Sequence, residues 1–386
     1  MNIVTYLSRS RGVTNSARRL HRISRRFGLS HDRMRRAIES LVDICAEAGS
    51  RPTLFVTAIL IERYPGFFAA LAESGAELGV HGFVHTDHAL LDEATQYEHL
   101  ERALSQFAGL GLQPRGFRHP YLRYNDETWA AASRLGFTYS SNTSVSWDVI
   151  TETFPPAART AYAKGLALYG SRPHPEMPSL PAFVSGGILD IPASLPDDEA
   201  VIDRLGMGGR YAGVVWGRVL EESYGAGELM TVVVHNERVP LCASALRRLL
   251  AGARERSPKV WVATIGEIND WWRARQAMEI QVEPDGAGRW LVTPPADPRA
   301  ALIVRSARTE PVGSAWSGEW TLMPRGRFVV QCDAAPRVIA DETASTGAGA
   351  EVLLGRWPEG ARSALSISSD VDAMSLIDFL RRPLEV

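Results

Sequence analysis

Apolar positions at Met34, Ile38, Leu41, Val42 and Cys45 recur at intervals of three and four and predict an amphipathic helix. The run "PTLFVTAI" that follows has no such period and reads as a buried strand. A second helix through Phe67, Phe68 and Leu71 ends near Gly75, and "AELGVHG" is the next strand. Gln96 to Ala108 again has helical spacing, and "RGFRHPY" reads as a strand end running into a loop. Asn125 is placed to cap a helix whose first turn holds Asp126 and Glu127 and whose end is Gly136. "FVSGGILDIPAS", "LMTVVVH" and "KVWVAT" are further strands, with helices from Ala243 and Gly266. Strands alternating with helices predict an α/β fold built on a parallel sheet, open or closed into a barrel.

The texture changes after Trp271 and Trp272. "MEIQVEP", "RWLVTP", "ALIVRS" and "RFVVQC" are short strands separated by Pro, Gly and Asp, which predicts a small all-β module over 277–340. "DETASTGAGA" reads as a linker, placed at 341–352. Beyond it, in 353–386, stands "SALSISSDVDAMS", a strand of the α/β type stranded behind the β module. The remaining divisions are a basic segment, 1–35, and an α/β unit, 36–276.

Composition narrows the picture only in places. A net charge of −2 and 22% charged residues are ordinary for a globular chain. The first 36 residues, however, carry ten arginines and the single acid Asp32. Such a segment suits contact with anionic lipid or pyrophosphate, and its Arg/Ser-rich, acid-poor character is shared with transit peptides. Cys45, Cys242 and Cys332 are widely spaced and odd in number, which suits buried thiols in a reducing compartment. No apolar run approaches the roughly 18 residues of a membrane span, and no secretory leader is visible, so a cytoplasmic protein is expected, with peripheral contact at the inner face through the arginines.

Four groups of residues could carry chemistry. Asp370 and Asp372 lie two apart on a strand and so face one way. Two such carboxylates repel unless a metal or an arginine settles them. His81 and His85 in "GVHGFVHTDH" have the spacing of a divalent-metal pair. One of the two aspartates would complete that set, and the other would serve as a general base. Arg118 in "GFRHPY" sits where a strand ends and can hold a carboxylate bidentately. His235 ends the strand "LMTVVVH", where parallel α/β folds place chemistry, and could protonate a leaving amine. Each has a plain alternative: solvated aspartates, a surface arginine, a histidine satisfied at a strand end.

Taken in order, "PTLFVTA…ERYPGFFAALAESGAELGVHGFVHTDH", "GFRHPYLRYNDETWAAASRLGF", "VVVHNERV" and "VWVATIGEINDWW" resemble the polysaccharide deacetylase family, the NodB-homology fold. The resemblance covers about residues 34 to 275 and implies a distorted (β/α) barrel of about seven strands with a His–His–Asp metal site. That stretch lacks the family's first motif, a strand ending in two aspartates, and "WPEGARSALSISSDVDA" looks like the missing piece. A circular permutation is therefore expected, in which the chain's last strand closes the barrel's open edges; a strand swapped from a second copy in a homodimer is the competing arrangement. Carried over by residue, the resemblance makes Asp372, His81 and His85 the metal ligands and Asp370 the base, tethered by Arg118. The amide of Tyr121 would bind the oxyanion, His235 would be the acid, and Asp148 would be the acid's partner. Two departures stand out: Val371 separates the aspartates, as in branches acting on peptidoglycan or small cyclic amides, and Asn236 replaces a proline.

The expected function is removal of an acetyl group from an N-acetylated sugar by a hydrolase using Zn2+, or Co2+, Ni2+ or Mn2+ in its place. A lipid-linked or nucleotide-linked glycan precursor suits a cytoplasmic enzyme. Hydrolysis of a small cyclic amide or ureide, and a non-catalytic carbohydrate-binding role, are the alternatives. A glycosyltransferase D-x-D is disfavoured because only the tail follows the motif. "ISRRFGLSHDRMRRAIESL" mimics a helix-turn-helix, but its second helix feeds directly into a strand, so no nucleic-acid partner is expected.

Overall fold

The helix expected from Met34 onward forms over Asp32–Glu47 (α1) and buries Met34, Ile38, Leu41 and Cys45, the residues that define its pattern. The computed structural model describes residues 24, 26–286, 288–305, 315–317, 320–323, 326–332, 334–339 and 349–385. Most of the arginine-rich start lies outside the described residues. After α1 come β1 (Thr53–Val56), α2 (Ile59–Arg63), α3 (Pro65–Glu73) and β2 (Glu77–Val80). The alternation continues through α4 (Glu93–Ala108), β3 (Gly116–Phe117), α5 (Asp126–Arg134) and β4 (Tyr139–Ser140). Asn125 does cap α5: its side chain accepts the Thr128 N–H at 3.1 Å while its own N–H donates to the Thr128 hydroxyl at 3.2 Å.

Next come β5 (Ser144–Ser146), α6 (Pro156–Tyr169), β6 (Arg172–Pro173), β7 (Ala182–Phe183), β8 (Leu189–Asp190) and β9 (Ala193–Leu195). The segment read as one strand, "FVSGGILDIPAS", is thus three short ones. Then follow α7 (Gly209–Ala226), β10 (Leu229–His235), α8 (Val239–Arg254), β11 (Val260–Val262) and α9 (Ile265–Gln276). Strands β12 (Gln281–Gly286), β13 (Arg289–Thr293), β14 (Leu302–Arg305), β15 (Ala315–Ser317), β16 (Trp320–Leu322), β17 (Phe328–Gln331), β18 (Arg337–Ile339) and β19 (Glu351–Leu354) succeed one another without a helix among the described residues. The chain ends in β20 (Ser363–Val371) and α10 (Leu376–Glu385).

The main sheet runs β10-β20-β1-β2-β3-β4-β8-β7, with β11 also paired to β20. Neighbours from β10 through β8 are parallel, and only β7 is antiparallel. The sheet is therefore mixed, and it curls into a half-barrel. Beyond β8 the chain continues as β9, which pairs with β5. Ser194 Oγ on β9 accepts the Thr231 N–H of β10 at 3.0 Å, so the two ends of the curl meet through a side chain instead of a ladder. Strand β20 stands in the middle, with Thr53 opposite Ser368 and Phe55 opposite Asp370 on one side. On its other side Leu229 stands opposite Ala364 and His235 opposite Asp370. All nine of its residues are buried, as expected of a central strand covered on both faces.

The larger core lies between the sheet and helices α1, α4, α5, α7 and α8, and takes in Leu365, Ile367 and Val371 from β20. A second cluster takes in Phe55, Tyr139, Leu229, Trp271, Trp357 and Ala364. Room for the rings comes from missing side chains. A Cβ on Gly116 would stand 1.9 Å from Tyr139 Cε2, and one on Gly79 would stand 2.7 Å from Phe55 Cδ1. Trp271 Nε1 donates to the Arg356 carbonyl at 2.7 Å and Trp357 Nε1 to that of Gly227 at 2.9 Å, which pins the approach to β20.

The β segment forms two sheets, β12-β13-β17 and β15-β16-β14-β19-β18, around Val292, Leu302, Val304, Val330 and Val352. One boundary moves relative to the sequence reading. Residues 341–348 lie outside the described residues, but Glu351 and Val352, read as linker, are in β19, and so are Leu353 and Leu354, assigned to the barrel piece. They pair with β14 because "EVLL" offers an apolar face that the neighbouring sheet covers. The three cysteines are free and buried. Among the described residues no helix is long and apolar enough to cross a membrane.

Candidate metal centre and active site

His81 and His85 lie in the loop that leaves the C-terminal end of β2, not on a helix. The turn between them is made at Gly82, whose φ of 80° is open to glycine at little cost. A Cβ there would also meet the Val84 carbonyl at 3.1 Å. Asp372, one residue past β20, comes alongside because β20, β1 and β2 are successive parallel strands and end on the same edge of the sheet. His81 Nε2 stands 3.3 Å from Asp372 Oδ1 and His85 Nε2 stands 3.4 Å from Asp372 Oδ2. One ligand atom from each of the three lies within 4.8 Å of the others.

The donor set fits a divalent cation. His81 Nδ1 is 2.7 Å from the Arg118 carbonyl oxygen, which can only accept, so Nδ1 carries the proton and Nε2 presents its lone pair. That lone pair faces a carboxylate oxygen that is buried and has no hydrogen-bond partner. Two acceptors face to face are repulsive unless a cation lies between them. Burial holds the His85 imidazole well below the ordinary histidine range, with the nearby Arg382 charge adding to it. For Asp372, burial opposes ionisation, but His85, Arg382 and His81 together hold it well below the usual carboxylate range.

Asp370 points into the same end of the sheet and is held by Arg118. The buried guanidinium donates from Nη1 to Asp370 Oδ1 and to Ser368 Oγ, each at 2.9 Å. Its Nη2 and Nε reach Ser141, hydroxyl at 2.8 Å and carbonyl at 3.1 Å, and its plane lies over the Phe55 ring. The like-charge question posed by the two aspartates is thus answered by a separate arginine for each: Arg118 for Asp370 and Arg382 for Asp372.

His235 is the register partner of Asp370 on the adjacent strand, so both project to the same face. Its Nδ1 pairs with Asp198 Oδ1 at 2.7 Å, and its backbone N–H donates to Asp198 Oδ2 at 2.7 Å. Burial alone would depress the imidazole, but the Asp198 carboxylate overrides it and lifts His235 well above the ordinary value. This corrects one expectation: Asp148 is exposed and is not the partner of His235. Asp148 and Asp198 follow β5 and β9 of the same β6-β5-β9 sheet, but β9 is the strand that lies against β10, and β5 is one strand removed. The signal was present in "LPDDEA", an acidic pair directly after a buried strand. Asp197, Asp198 and His235 also lie within metal-ligand distance of one another.

Tyr121 has φ 63° and Leu122 φ 56°, left-handed conformations that cost a non-glycine residue about a kcal/mol or more each. The Tyr121 ring meets His85 edge-on at 4.8 Å, which places this strained turn beside the metal candidates. Asn236, in the place of the expected proline, donates from Nδ2 to the Ala373 carbonyl at 3.0 Å and so ties His235's loop to the residue after Asp372. The other residue missed from sequence is Arg382 on α10, 3.2 Å from Asp372 Oδ2; no motif announces it.

Comparison with known proteins agrees with the motifs. Residues 25–140 match the family model for polysaccharide deacetylase, so the resemblance is met over this segment. It contains His81, His85, Arg118 and Tyr121 and ends before Asp198, His235 and the aspartates of β20. A peptidoglycan deacetylase-like protein of Gibberella zeae is 33% identical over 93 residues, 24% of this chain, and the chain spans only 28% of that relative's length. Among solved structures, a protein described as a polysaccharide deacetylase from Mycobacterium smegmatis is 21% identical, covering 65% of this chain and 81% of its own, with a TM-score of 0.49. An allantoinase is 18% identical, covering 62% and 72%, with a TM-score of 0.48.

Proposed function

We propose that this protein is a metal-dependent N-deacetylase acting on an N-acetylated sugar of a polysaccharide or glycan precursor. The observation that carries the reading is the meeting, at one end of one sheet, of His81, His85 and Asp372 with an arginine-held Asp370 and an Asp198-held His235. His81, His85 and Asp372 would hold a divalent cation, zinc by preference for two imidazoles and one carboxylate. When bound, the cation polarises the acetamide carbonyl and makes an adjacent water easier to deprotonate.

The chain's own groups account for the remaining chemistry. Asp370, fixed by Arg118, accepts a proton as the water oxygen attacks the carbonyl carbon. The Tyr121 amide, set by its strained turn, donates to the oxygen that gains negative charge. His235, kept protonated by Asp198, gives a proton to the sugar nitrogen as the C–N bond breaks. Acetate and a free amine leave. Acid and base come from adjacent strands at matched register, so both face one bound substrate. Acid and base on one sheet, with the amide donor in the turn that follows β3, supply what an amide needs, since its nitrogen must be protonated to depart.

The test is acetate release from N-acetylated oligosaccharides, peptidoglycan fragments and lipid- or nucleotide-linked N-acetyl sugars, with and without added zinc. Release abolished by Asp370→Asn and by His81→Ala is the expected result. Activity on a cyclic ureide with none on any acetylated glycan would instead select the cyclic-amide alternative. No turnover on either panel by zinc-loaded protein would reject the hydrolase reading.

A further inference from the structure

Arg382 sits on α10, and its guanidinium forms an ion pair with Asp372 Oδ2 at 3.2 Å. It is not a loose side chain at the chain's end. The start of α10 is fixed by Asp378, which receives the Ser375 hydroxyl at 2.9 Å, the Tyr64 hydroxyl at 2.8 Å and Arg63 at 3.0 Å. Arg63 also grips Glu385, the helix's last residue, and the Phe379 ring packs 5.3 Å from Phe27. The Leu376 N–H donates to Gly28 at 2.9 Å. Asp378 and Arg382 are four apart, hence on one face, and that face looks onto the loop carrying Asp372.

The consequence lies in how Asp372 is shared. The carboxylate faces the two imidazoles broadside, Oδ1 toward His81 and Oδ2 toward His85. Unopposed, such a carboxylate can offer both oxygens to one cation. Arg382 claims Oδ2, while Oδ1 is buried without a hydrogen-bond partner. We infer that Arg382 is a positioning residue that keeps Asp372 a one-oxygen ligand, so that the cation's coordination sphere retains room for water and the substrate carbonyl together. The inference rests on the metal-site reading above. It extends that reading to a side chain on a separate helix, fixed by contacts that do not involve the site.

The sign of the effect separates this role from a merely structural one. Losing a supporting contact would weaken metal binding. Losing Arg382 in the proposed role removes a like charge beside the cation and frees a second oxygen, so binding tightens while turnover falls. The experiment compares full-length wild type, Arg382→Gln, Arg382→Lys and Asp372→Ala. Zinc affinity is measured by chelator competition, the visible absorption of the cobalt-loaded protein reports coordination number, and thermal unfolding of the metal-free proteins checks folding. Arg382→Gln is expected to bind zinc about fivefold to tenfold more tightly and to show weaker cobalt bands, as a higher coordination number dictates. Arg382→Lys, which keeps the charge, is expected to stay near wild type. Unchanged affinity and spectrum in Arg382→Gln, or weaker binding, would overturn the role of Arg382 alone. A wild type that takes up no metal, or Asp372→Ala that takes up as much, would overturn the site itself.

Discussion

Asp370 and Asp372 are chemically identical and two residues apart, and their environments differ. Asp370 receives a buried guanidinium; Asp372 faces two imidazole nitrogens. Asp370→Asn should keep metal uptake and lose about 10²–10⁴ in kcat, whereas His85→Ala should lose the metal itself, as elemental analysis of the purified variants would record. His235 supplies a pH test. Its folded pKa is raised, so the stabilisation from its pair with Asp198 is fully present below about 6.5 and fades as pH rises through the elevated value. Asp198→Asn removes the raising charge and leaves burial, which lowers the pKa. The alkaline limb of the kcat profile should therefore move to lower pH, with kcat down by about 10²–10⁴ at neutral pH. A profile that keeps its alkaline limb in place would rule out His235 as the acid.

At the scale of elements, β20 is the piece on which the rest converges. It pairs with β1, β10 and β11, fills both core layers and delivers Asp370 and Asp372. A chain ending before Trp357 leaves β1 and β10 without their shared neighbour, so a broad, non-cooperative urea transition is expected, monitored by tryptophan fluorescence. Restoring residues 357–386 as a separate fragment should recover a cooperative transition, and with it metal uptake. A narrower test lies at Gly116, where a methyl group would overlap the Tyr139 ring. Gly116→Ala is expected to cost roughly 1–3 kcal/mol in urea unfolding. The helices were the most readable elements: α1 and α5 follow the apolar period and the Asn125 cap closely. Short strands were the least readable, since β7, β8 and β9 share one continuous apolar run and are told apart only by what pairs with each.

Across the whole molecule, a strand more than 300 positions distant from β1 in sequence becomes its neighbour, and a β segment lies in the chain between the two halves of the sheet. The alternation of period, the two aspartates, the two histidines, Arg118 and His235 were all legible in the residues themselves. They report local chemistry, and local chemistry is written in adjacent positions. The partner of His235 was not legible: Asp148 and Asp198 are both aspartates that follow strands, and only the place of each strand in the sheet, β9 against β10 and β5 one strand removed, decides between them. Arg382 was hidden for the same reason, being one arginine among many until α10 is folded against α2. Sequence determined which side chains were able to bind a cation or move a proton. The tertiary structure alone decided which of them meet, because distance through space depends on strand order, and strand order is set by which faces the whole chain can bury together.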